Sequence, residues 1–257
     1  MGLMSGKKGI ILGVANGDSL AWSIAQRLHA EGATMAFSHL PGEKMERRVR
    51  SVTDLIGAEI VIPCDVTQDA DIERFVGKVG QAYGSIDFIV HAVAFAPREC
   101  LANRFWQTRR ADFELAMNIS AYSLIAICQK AFHILREGGS VLTLSYLGAQ
   151  KVVPGYNVMG VCKAALESSV RYLAADLGDL RRVRVNGISA GPCRTLSSAG
   201  ISGFDKVLDH YPAKSPLKRN ISPDEVAKAG LYLLSELSSG ITGEIHYVDA
   251  GYSIIGW

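Results

Sequence analysis

The stretch Gly9-Ile-Ile-Leu-Gly13-Val-Ala-Asn-Gly17-Asp-Ser19, close to the N-terminus, decides the fold. Its apolar run is typical of a buried strand and ends at Gly13, and an amphipathic helical pattern begins at Ser19. Ser19 is also a candidate N-cap for that helix. The stretch therefore predicts a strand, a glycine-containing turn and a helix, which is the first unit of an α/β fold.

The same alternation of short apolar runs with helical patterns continues along the whole chain. Strands are predicted near Gly9–Gly13, Thr34–Ser38, Glu59–Pro63, Ile86–His91, Val141–Ser145, Arg184–Ile188 and Glu244–Val248. Helices are predicted near Ser19–Glu31, Lys44–Ile56, Asp69–Tyr83, Asp112–Arg136, Asn157–Leu177 and Pro223–Ser235. Strands that alternate with helices form parallel sheets covered on both faces. We expect a single doubly wound α/β domain of Rossmann type over residues 1–257, with a mainly parallel seven-stranded sheet.

One segment, Gly191–Asn220, is too long for an ordinary connection in such a fold and is rich in serine, glycine and proline. Long insertions of this kind often form lids over a binding site. We expect a lid near residues 192–220.

Composition argues against several classes of protein. A formal net charge of +2 is too small to attract nucleic acid by long-range electrostatics. The cluster Arg181-Arg182-Val183-Arg184 is interpreted as a solvated turn before a strand. The five cysteines include no Cys-x-x-Cys pair, so neither a disulfide framework nor a zinc site is indicated. The N-terminal apolar run is too short for a signal peptide, and no run approaches the ~18 apolar residues of a membrane span. These features predict a cytoplasmic protein without metal, nucleic acid or membrane.

The turn from Gly13 to Ser19 lies where a dinucleotide fold brings its backbone close to a pyrophosphate, at the N-terminus of the first helix. It is not Gly-x-Gly-x-x-Gly, so an ordinary strand-to-helix turn is the alternative. Asp65, after the third strand, would place a carboxylate near an adenine edge or would be a simple turn aspartate. The second strand ends at Ser38-His39-Leu40 with neither an acidic residue for the ribose hydroxyls nor an arginine for a 2′-phosphate. Because a 2′-phosphate has no partner there, we expect NADH to be preferred over NADPH.

Tyr156 and Lys163 are seven residues apart at the head of a long helical pattern. At 3.6 residues per turn this spacing places both on one helix face, ~10 Å apart along the axis. A phenol can donate to a developing oxyanion, and a fixed ammonium nearby favours that charge transfer. The alternative is a helix-start aromatic residue and a solvated lysine paired with Glu167. Lysine before glutamate is the weaker orientation for such a pair, and the surrounding helix is apolar, which favours the functional interpretation.

Six motifs follow one another in a fixed order along the chain. They are Gly13-x5-Ser19, Cys64-Asp65-Val66, His91-Ala-Val-Ala-Phe95-Ala-Pro97, Leu144-Ser-Tyr146, Tyr156-x6-Lys163 and Ile188-Ser-Ala-Gly191-Pro192-Cys-Arg194-Thr195-Leu196. Together they resemble the bacterial enoyl-acyl-carrier-protein reductases, a divergent branch of the short-chain dehydrogenase/reductase superfamily. Most of that superfamily carries Tyr-x3-Lys, whereas here Met159 stands four residues before Lys163 and the tyrosine is at 156.

The resemblance implies reduction of trans-2-enoyl thioesters by hydride transfer from NADH to the β-carbon. It implies that Tyr156 holds the enolate oxygen, that Lys163 binds the nicotinamide ribose and that Tyr146 faces the substrate. The other positions it assigns are Gly13, Ser19, Leu20, Asp65, Val66 and Thr195 for the cofactor, and Phe95, Ala96, Ile201 and Phe204 for the acyl substrate.

The chain departs from this family at positions that bear on its partners. Leu40 stands where members usually have glutamine or a basic residue, and Ser202 and Asp205 stand where members often carry basic residues on the lid, with Lys206 kept. Acyl-carrier protein is acidic, so we expect weak docking of the carrier on the lid. The alternative is that Lys214, Lys218 and Arg219, beyond the lid, offset this loss. We also expect less discrimination than in relatives between acyl-carrier and coenzyme A thioesters.

Two other functions stay open at this point. One is a ketoreductase of the same superfamily, and the other is a catalytically idle paralogue that binds nucleotide and serves in regulation or assembly. The complete pair Tyr156 and Lys163 argues against the idle paralogue. The helix Asn157–Leu177 is apolar on nearly every face, which suggests that one side meets another subunit. The resemblance implies a homotetramer.

Overall fold

A seven-stranded parallel sheet forms the centre of the fold, in the strand order β3-β2-β1-β4-β5-β6-β7. The computed structural model describes residues 2–195 and 204–256. The strands are β1 (Lys8–Leu12), β2 (Thr34–His39), β3 (Val61–Pro63), β4 (Ile86–His91), β5 (Leu135–Ser145), β6 (Arg184–Ala190) and β7 (Ile245–Val248). The strand order reverses between β1 and β4, and doubly wound folds bind ligands beyond the carboxyl ends of the strands at that point.

Helices cover both faces of the sheet, as the sequence predicts. They are α1 (Leu20–Ala30), α2 (Glu43–Thr53), α3 (Asp69–Tyr83), α4 (Arg98–Ala102), α5 (Arg110–Met117), α6 (Ser123–Ala131), α7 (Val158–Arg181), α8 (Phe204–Lys214) and α9 (Pro223–Leu234). Successive side chains of a strand point to opposite faces. Ile10 and Leu12 of β1 therefore belong to the core under α3, α6 and α7, and Ile11 belongs to the core under α1 and α9. The predicted α/β class and sheet are confirmed.

The predicted helix Asp112–Arg136 is wrong in its extent. The structure divides it into α5 and α6, joined by a π-helical turn at Asn118–Tyr122, and β5 already begins at Leu135. A π-turn adds one residue to a helical turn, and apolar periodicity alone does not reveal such an insertion because the pattern resumes after it. The turn directs Ser120 towards the loop after β4, where it bonds to Phe95.

The long segment Gly191–Asn220 contains a helix that sequence reasoning did not place, α8. Gly191 leaves β6 by donating its N–H to the carbonyl of Val248 at 2.8 Å. The helix α9 follows the segment and begins with a complete capping box between Ser222 and Glu225. The segment therefore combines a helix with irregular backbone at the carboxyl edge of the sheet.

The interpretation of residues 181–184 as a solvated turn is wrong for Arg184, which is buried. Its guanidinium donates to the carbonyl of Leu233 at 2.7 Å and to that of Ser235 at 3.1 Å. These carbonyls lie at the C-terminus of α9, where the last backbone acceptors have no partner within the helix. Arg184 therefore serves as a structural cap for another helix.

All five cysteines are free and buried. Burial raises the pKa of Cys64, Cys128 and Cys193 to about 12, and that of Cys162 to about 11. Within the described ranges, 2–195 and 204–256, histidine, cysteine and acidic residues form no group able to hold a metal ion.

One helical stretch, Arg110–Ala131, has the length and hydropathy of a membrane span, contrary to the expectation that no stretch would. Half of its most apolar window is buried in the fold. Leu124, Ile127 and Ala131 of this stretch belong to the core under the sheet. A core helix meets the same criteria of length and composition.

Candidate active site

A cavity of about 440 Å³ lies at the carboxyl edge of the sheet, beyond the ends of β1, β4, β5 and β6. Asp65 and Val66, which follow β3, are outside its lining, and Ile201 lies outside the described residues. The other residues that the resemblance assigns to the cofactor, the substrate or the reaction all line it: Gly13, Ser19, Leu20, Phe95, Ala96, Tyr146, Tyr156, Lys163, Thr195 and Phe204. Residues up to 191 positions apart in the chain are thus brought together in one cavity.

The turn after β1 has the geometry that a dinucleotide needs. Gly13 has φ of 98°, and a Cβ atom there would overlap the carbonyl of Ala92. The hydroxyl of Ser19 donates to the carbonyl of Asn16 at 2.8 Å, and no side chain among the described residues caps the first turn of α1. The N–H groups at the start of α1 therefore remain available to an anion such as a pyrophosphate.

The end of β2 offers little to a phosphate. Leu40 is 55% exposed, and the ring of His39 is buried, with Nδ1 2.8 Å from the carbonyl of Leu40. After β3, one carboxylate oxygen of Asp65 accepts from the N–H of Thr67 at 2.9 Å and from its hydroxyl at 2.8 Å. That oxygen stabilises its own turn, and a further role of Asp65 at the adenine edge stays a prediction.

Tyr156 does not lie in the helix that carries Lys163. The helix α7 begins at Val158, and its N-cap Asn157 has a left-handed φ of 41°. The predicted sharing of one helix face is therefore wrong, because the backbone turns sharply between the tyrosine and the first helical residue. Both side chains still reach the same cavity.

Close packing fixes the ring of Tyr156. Gly148, in the turn after β5, lies so near that a Cβ atom there would overlap the ring. A Cβ atom on Gly160 of α7 would come within 2.8 Å of the Gly148 carbonyl, so this turn and the helix also meet without space between them. Tyr146 contacts Tyr156 edge-on, with ring centroids 4.9 Å apart and planes at 68°.

Lys163 is buried, so the alternative of a solvated lysine is wrong. Its ammonium donates to the carbonyl of Leu144 at 2.7 Å. Glu167 is also buried and accepts from the hydroxyl of Ser145 at 2.6 Å. Burial lowers the pKa of Lys163 to about 8, and electrostatic interactions with Cys162 and Glu167 partly oppose that shift.

The two tyrosines are neutral phenols at ordinary pH. Burial raises the pKa of Tyr156 well above its usual range, with Tyr146 and Cys162 adding to the shift, and raises that of Tyr146 to about 12. Beneath the cavity, burial and then the charge of Lys163 lower the pKa of His91 to about 3, so this ring is uncharged. The site therefore combines a phenol that can donate a hydrogen bond with an ammonium close to its titration point.

Sequence reasoning missed several residues that shape the cavity. Ser120 holds the loop after β4 by accepting from the N–H of Phe95 and donating to its carbonyl, both at 2.9 Å. The amide of Asn157 donates to the carbonyls of Leu101 and Asn103 at 3.2 and 2.8 Å. No local sequence signal marks either residue, since each acts through a contact with a distant part of the chain.

Comparison with known proteins decides the family. A family model described as enoyl-(acyl carrier protein) reductase matches residues 13–253. This chain belongs to that family. The motifs quoted above lie almost entirely within the matched residues, so the resemblance drawn from them is confirmed.

Relatives of this enoyl-acyl-carrier-protein reductase match over nearly their whole length. The chain is 49% identical over 255 residues to "Enoyl-[acyl-carrier-protein] reductase [NADH] 1" of Rhizobium meliloti strain 1021, covering 99% of this chain and 93% of the relative. The solved reductase of Anaplasma phagocytophilum in complex with NAD is 49% identical, with a TM-score of 0.95 and coverage of 99% and 97%. The Bacillus cereus enzyme, solved with NADP+ and an indole naphthyridinone, is 45% identical, with a TM-score of 0.96 and full coverage of both chains.

Proposed function

We propose that this chain reduces trans-2-enoyl thioesters, carried by acyl-carrier protein, to saturated acyl thioesters with NADH, as a step of fatty acid elongation. The observation that supports this most is the convergence of Tyr156 and Lys163 on one cavity that also includes the start of α1. Relatives named as NADH-dependent enoyl reductases point to the same reaction.

Different residues of the chain have different roles in the proposed reaction. The turn at Gly13, Ser19 and the N-terminus of α1 bind the pyrophosphate of the cofactor, and Lys163 binds the nicotinamide ribose. When bound, NADH supplies the hydride that reaches the β-carbon. Tyr156 donates a hydrogen bond to the thioester oxygen, where negative charge collects as the enolate forms, and protonation at the α-carbon completes the product. Because its pKa is high, the phenol keeps the proton of that bond.

The substrate side of the cavity is mostly apolar. Phe95 and Ala96 from the loop after β4 and Phe204 at the start of α8 all line the cavity. These walls fit an acyl chain and keep water from the reacting carbon. The contact of Phe204 with the cavity supports a role of residues 192–220 as a lid, for which Ile201 is a further candidate wall.

The position of the tyrosine favours enoyl over ketone reduction. In ketone reduction the carbon that accepts hydride bears the oxygen, whereas in conjugate reduction the oxygen is two bonds further away. Met159 stands at the usual tyrosine position and has no acidic proton, while Tyr156 lies three residues earlier, before α7 begins. The displaced phenol matches the second geometry.

Direct assay of NADH oxidation tests the proposal. Enoyl thioesters should be reduced and β-ketoacyl thioesters should not. Reduction of only the β-ketoacyl thioester would establish a ketoreductase, and tight NADH binding without either reaction would establish the idle paralogue. Lys163→Ala should weaken NADH binding by roughly tenfold to a hundredfold, the usual cost of losing a hydrogen bond to a charged group.

A homotetramer in the cytoplasm is the assembly and location we propose. The neighbouring helices α6 and α7 expose an apolar strip consisting of Ile125, Val161 and Tyr172, with Tyr122 just before α6. Such a strip on adjacent helices suits a subunit contact. Sedimentation equilibrium measures the mass directly, and Tyr172→Glu should lower it. The free cysteines fit a reducing compartment.

A further inference from the structure

One short segment that lines part of the cavity is rich in arginines and exposed aromatic residues. Residues 98–110 contain four arginines and one glutamate, a formal charge of +3. Arg109 is bound to Asp112 at 2.6 Å, whereas no ion pair of Arg98, Arg104 or Arg110 occurs within the part of the chain that the structure describes. We call the exposed residues Arg98, Arg104, Phe105, Trp106 and Arg110 the arginine-aromatic surface.

The aromatic members of this surface are unusually exposed. Trp106 is 77% exposed and Phe105 is 48% exposed. Exposed large apolar side chains that stand beside arginines, rather than singly, mark interaction sites. Tryptophan and arginine are also the residue types that contribute most to the binding energy of protein interfaces.

The segment that carries this surface also lines the cavity that holds Tyr156. Arg98 and Leu101 belong to the lining of that cavity, and the exposed residues 104–106 follow them directly in the chain. The amide of Asn157 bonds to the carbonyls of Leu101 and Asn103, which fixes the segment to the residue next to Tyr156. A partner bound here would have its attachment point beside the route to the reacting atoms.

The helix α8, whose Phe204 also lines the cavity, is less suited to an acidic partner. The helix α8 carries two aspartates and two lysines, so its formal charge is zero. Asp205 of this helix binds Arg194 at 2.7 Å and thereby neutralises a nearby cation. Positive charge and exposed apolar area are therefore combined on the arginine-aromatic surface and are not combined on α8.

We propose that the arginine-aromatic surface is the docking site of the acidic carrier protein, whose thioester arm then enters the cavity past Arg98. This inference rests on the proposed function. Acidic side chains of the carrier pair with Arg104 and Arg110 and speed its encounter with the enzyme, while Trp106 and Phe105 are buried in the contact. The weak carrier docking that the sequence predicts for the lid is compensated on this surface.

The test compares the carrier thioester with the coenzyme A thioester of the same acyl chain. The double substitution Arg104→Glu/Arg110→Glu should lower kcat/KM for the carrier substrate by roughly tenfold at low ionic strength, with much less loss at high salt. Trp106→Ala should lower it by roughly tenfold to thirtyfold at either salt concentration, as for the loss of an interface anchor. Neither change should alter kcat/KM for the coenzyme A thioester by more than about twofold, since none of the three residues lines the cavity.

Two control variants separate docking from general effects. Lys78→Glu reverses an exposed charge on α3, away from the opening, and Asp205→Arg adds positive charge on α8. Lys78→Glu should leave kcat/KM for the carrier substrate unchanged. If Asp205→Arg raises kcat/KM for the carrier substrate by a larger factor than the double arginine substitution lowers it, the carrier docks on α8 and the proposal is overturned.

Other outcomes of these measurements also test the docking site. Equal loss with both thioesters would mean that the segment only shapes the cavity. A change of mass by sedimentation with unchanged carrier kinetics would show that a second copy of this chain covers the surface. Unchanged carrier kinetics in all variants, with normal coenzyme A thioester reduction, would refute the docking site and leave the proposed function intact. Absence of reduction with both thioesters in the unmodified enzyme would instead refute the proposed function.

Discussion

The two ends of the proposed cofactor region differ in how many contacts hold their side chains in place. At the end formed by β5 and α7, the main polar groups are buried and have fixed neighbours: Lys163 on the Leu144 carbonyl, Ser145 on Glu167, and Tyr156 between Gly148 and Tyr146. At the end formed by β2 and β3, Leu40 is exposed and Asp65 bonds within its own turn. The difference indicates that many contacts hold Tyr156 and Lys163 in place, whereas few contacts define the end that we propose discriminates between coenzymes.

The largest expected effect is at the buried end, from Tyr156→Phe. This change removes the hydroxyl that we propose stabilises the enolate and keeps the ring in place, so kcat should fall on the order of tenfold to a thousandfold, as for other oxyanion donors. The dissociation constant for NADH, measured by fluorescence titration, should stay nearly constant. Tyr172→Phe, on an exposed ring, is the matched control. Loss of NADH affinity alone would contradict the role assigned to the phenol.

Displacing the same ring without altering its chemistry should have the next largest effect. Gly148→Ala places a methyl group against the ring of Tyr156, so the ring or the turn must move. A shift of ~1 Å at a reacting group can lower kcat by up to about a hundredfold, and we expect a loss of roughly tenfold or more. Gly77→Ala in α3 has open space around it and should leave turnover unchanged. Equal turnover in both variants would show that the ring tolerates movement.

A smaller effect is expected from pH, because the pKa of Lys163 is lowered to about 8. The ammonium is charged below that pH and neutral above it, and the charged form is the stronger donor to ribose hydroxyls. The dissociation constant for NADH should therefore rise about threefold to tenfold as pH increases from 7 to 9. Lys163→Arg keeps its charge throughout this range and should give a flat profile even if it binds less well. A flat profile for the unmodified enzyme would contradict this account.

An effect of the same small size is expected at the end formed by β2 and β3. Leu40→Arg supplies a partner for a 2′-phosphate, so kcat/KM with NADPH should rise roughly threefold to tenfold relative to NADH, as expected for one partly exposed charged contact. Before the change, NADH should be preferred. Leu55→Arg, at another exposed leucine, should not alter the ratio. A preference of the unmodified enzyme for NADPH would indicate that Lys44, Arg47 or Arg48 folds back towards the phosphate.

The sequence predicts the parallel sheet because each strand and each helix after it is a local apolar pattern, and strands joined through helices lie parallel to one another. The features that it does not predict arise from contacts between distant residues. The π-turn at Asn118–Tyr122 is an example, since its Ser120 bonds to Phe95, and Arg184 is another, since its partners lie at the end of α9. The seven-residue spacing of Tyr156 and Lys163 pointed to one cavity for an incorrect reason, because the tyrosine precedes the helix.

The burial of all five cysteines gives the chain a built-in set of reporters for local opening. Their thiols are distributed over the end of β3, α4, α6, α7 and the segment after β6. A thiol that is buried and has a raised pKa does not react with an alkylating reagent until its surroundings open. Mass spectrometry of a labelling time course would therefore rank these five regions by the free energy of opening, with no engineered probe, and would report which of them NADH holds closed.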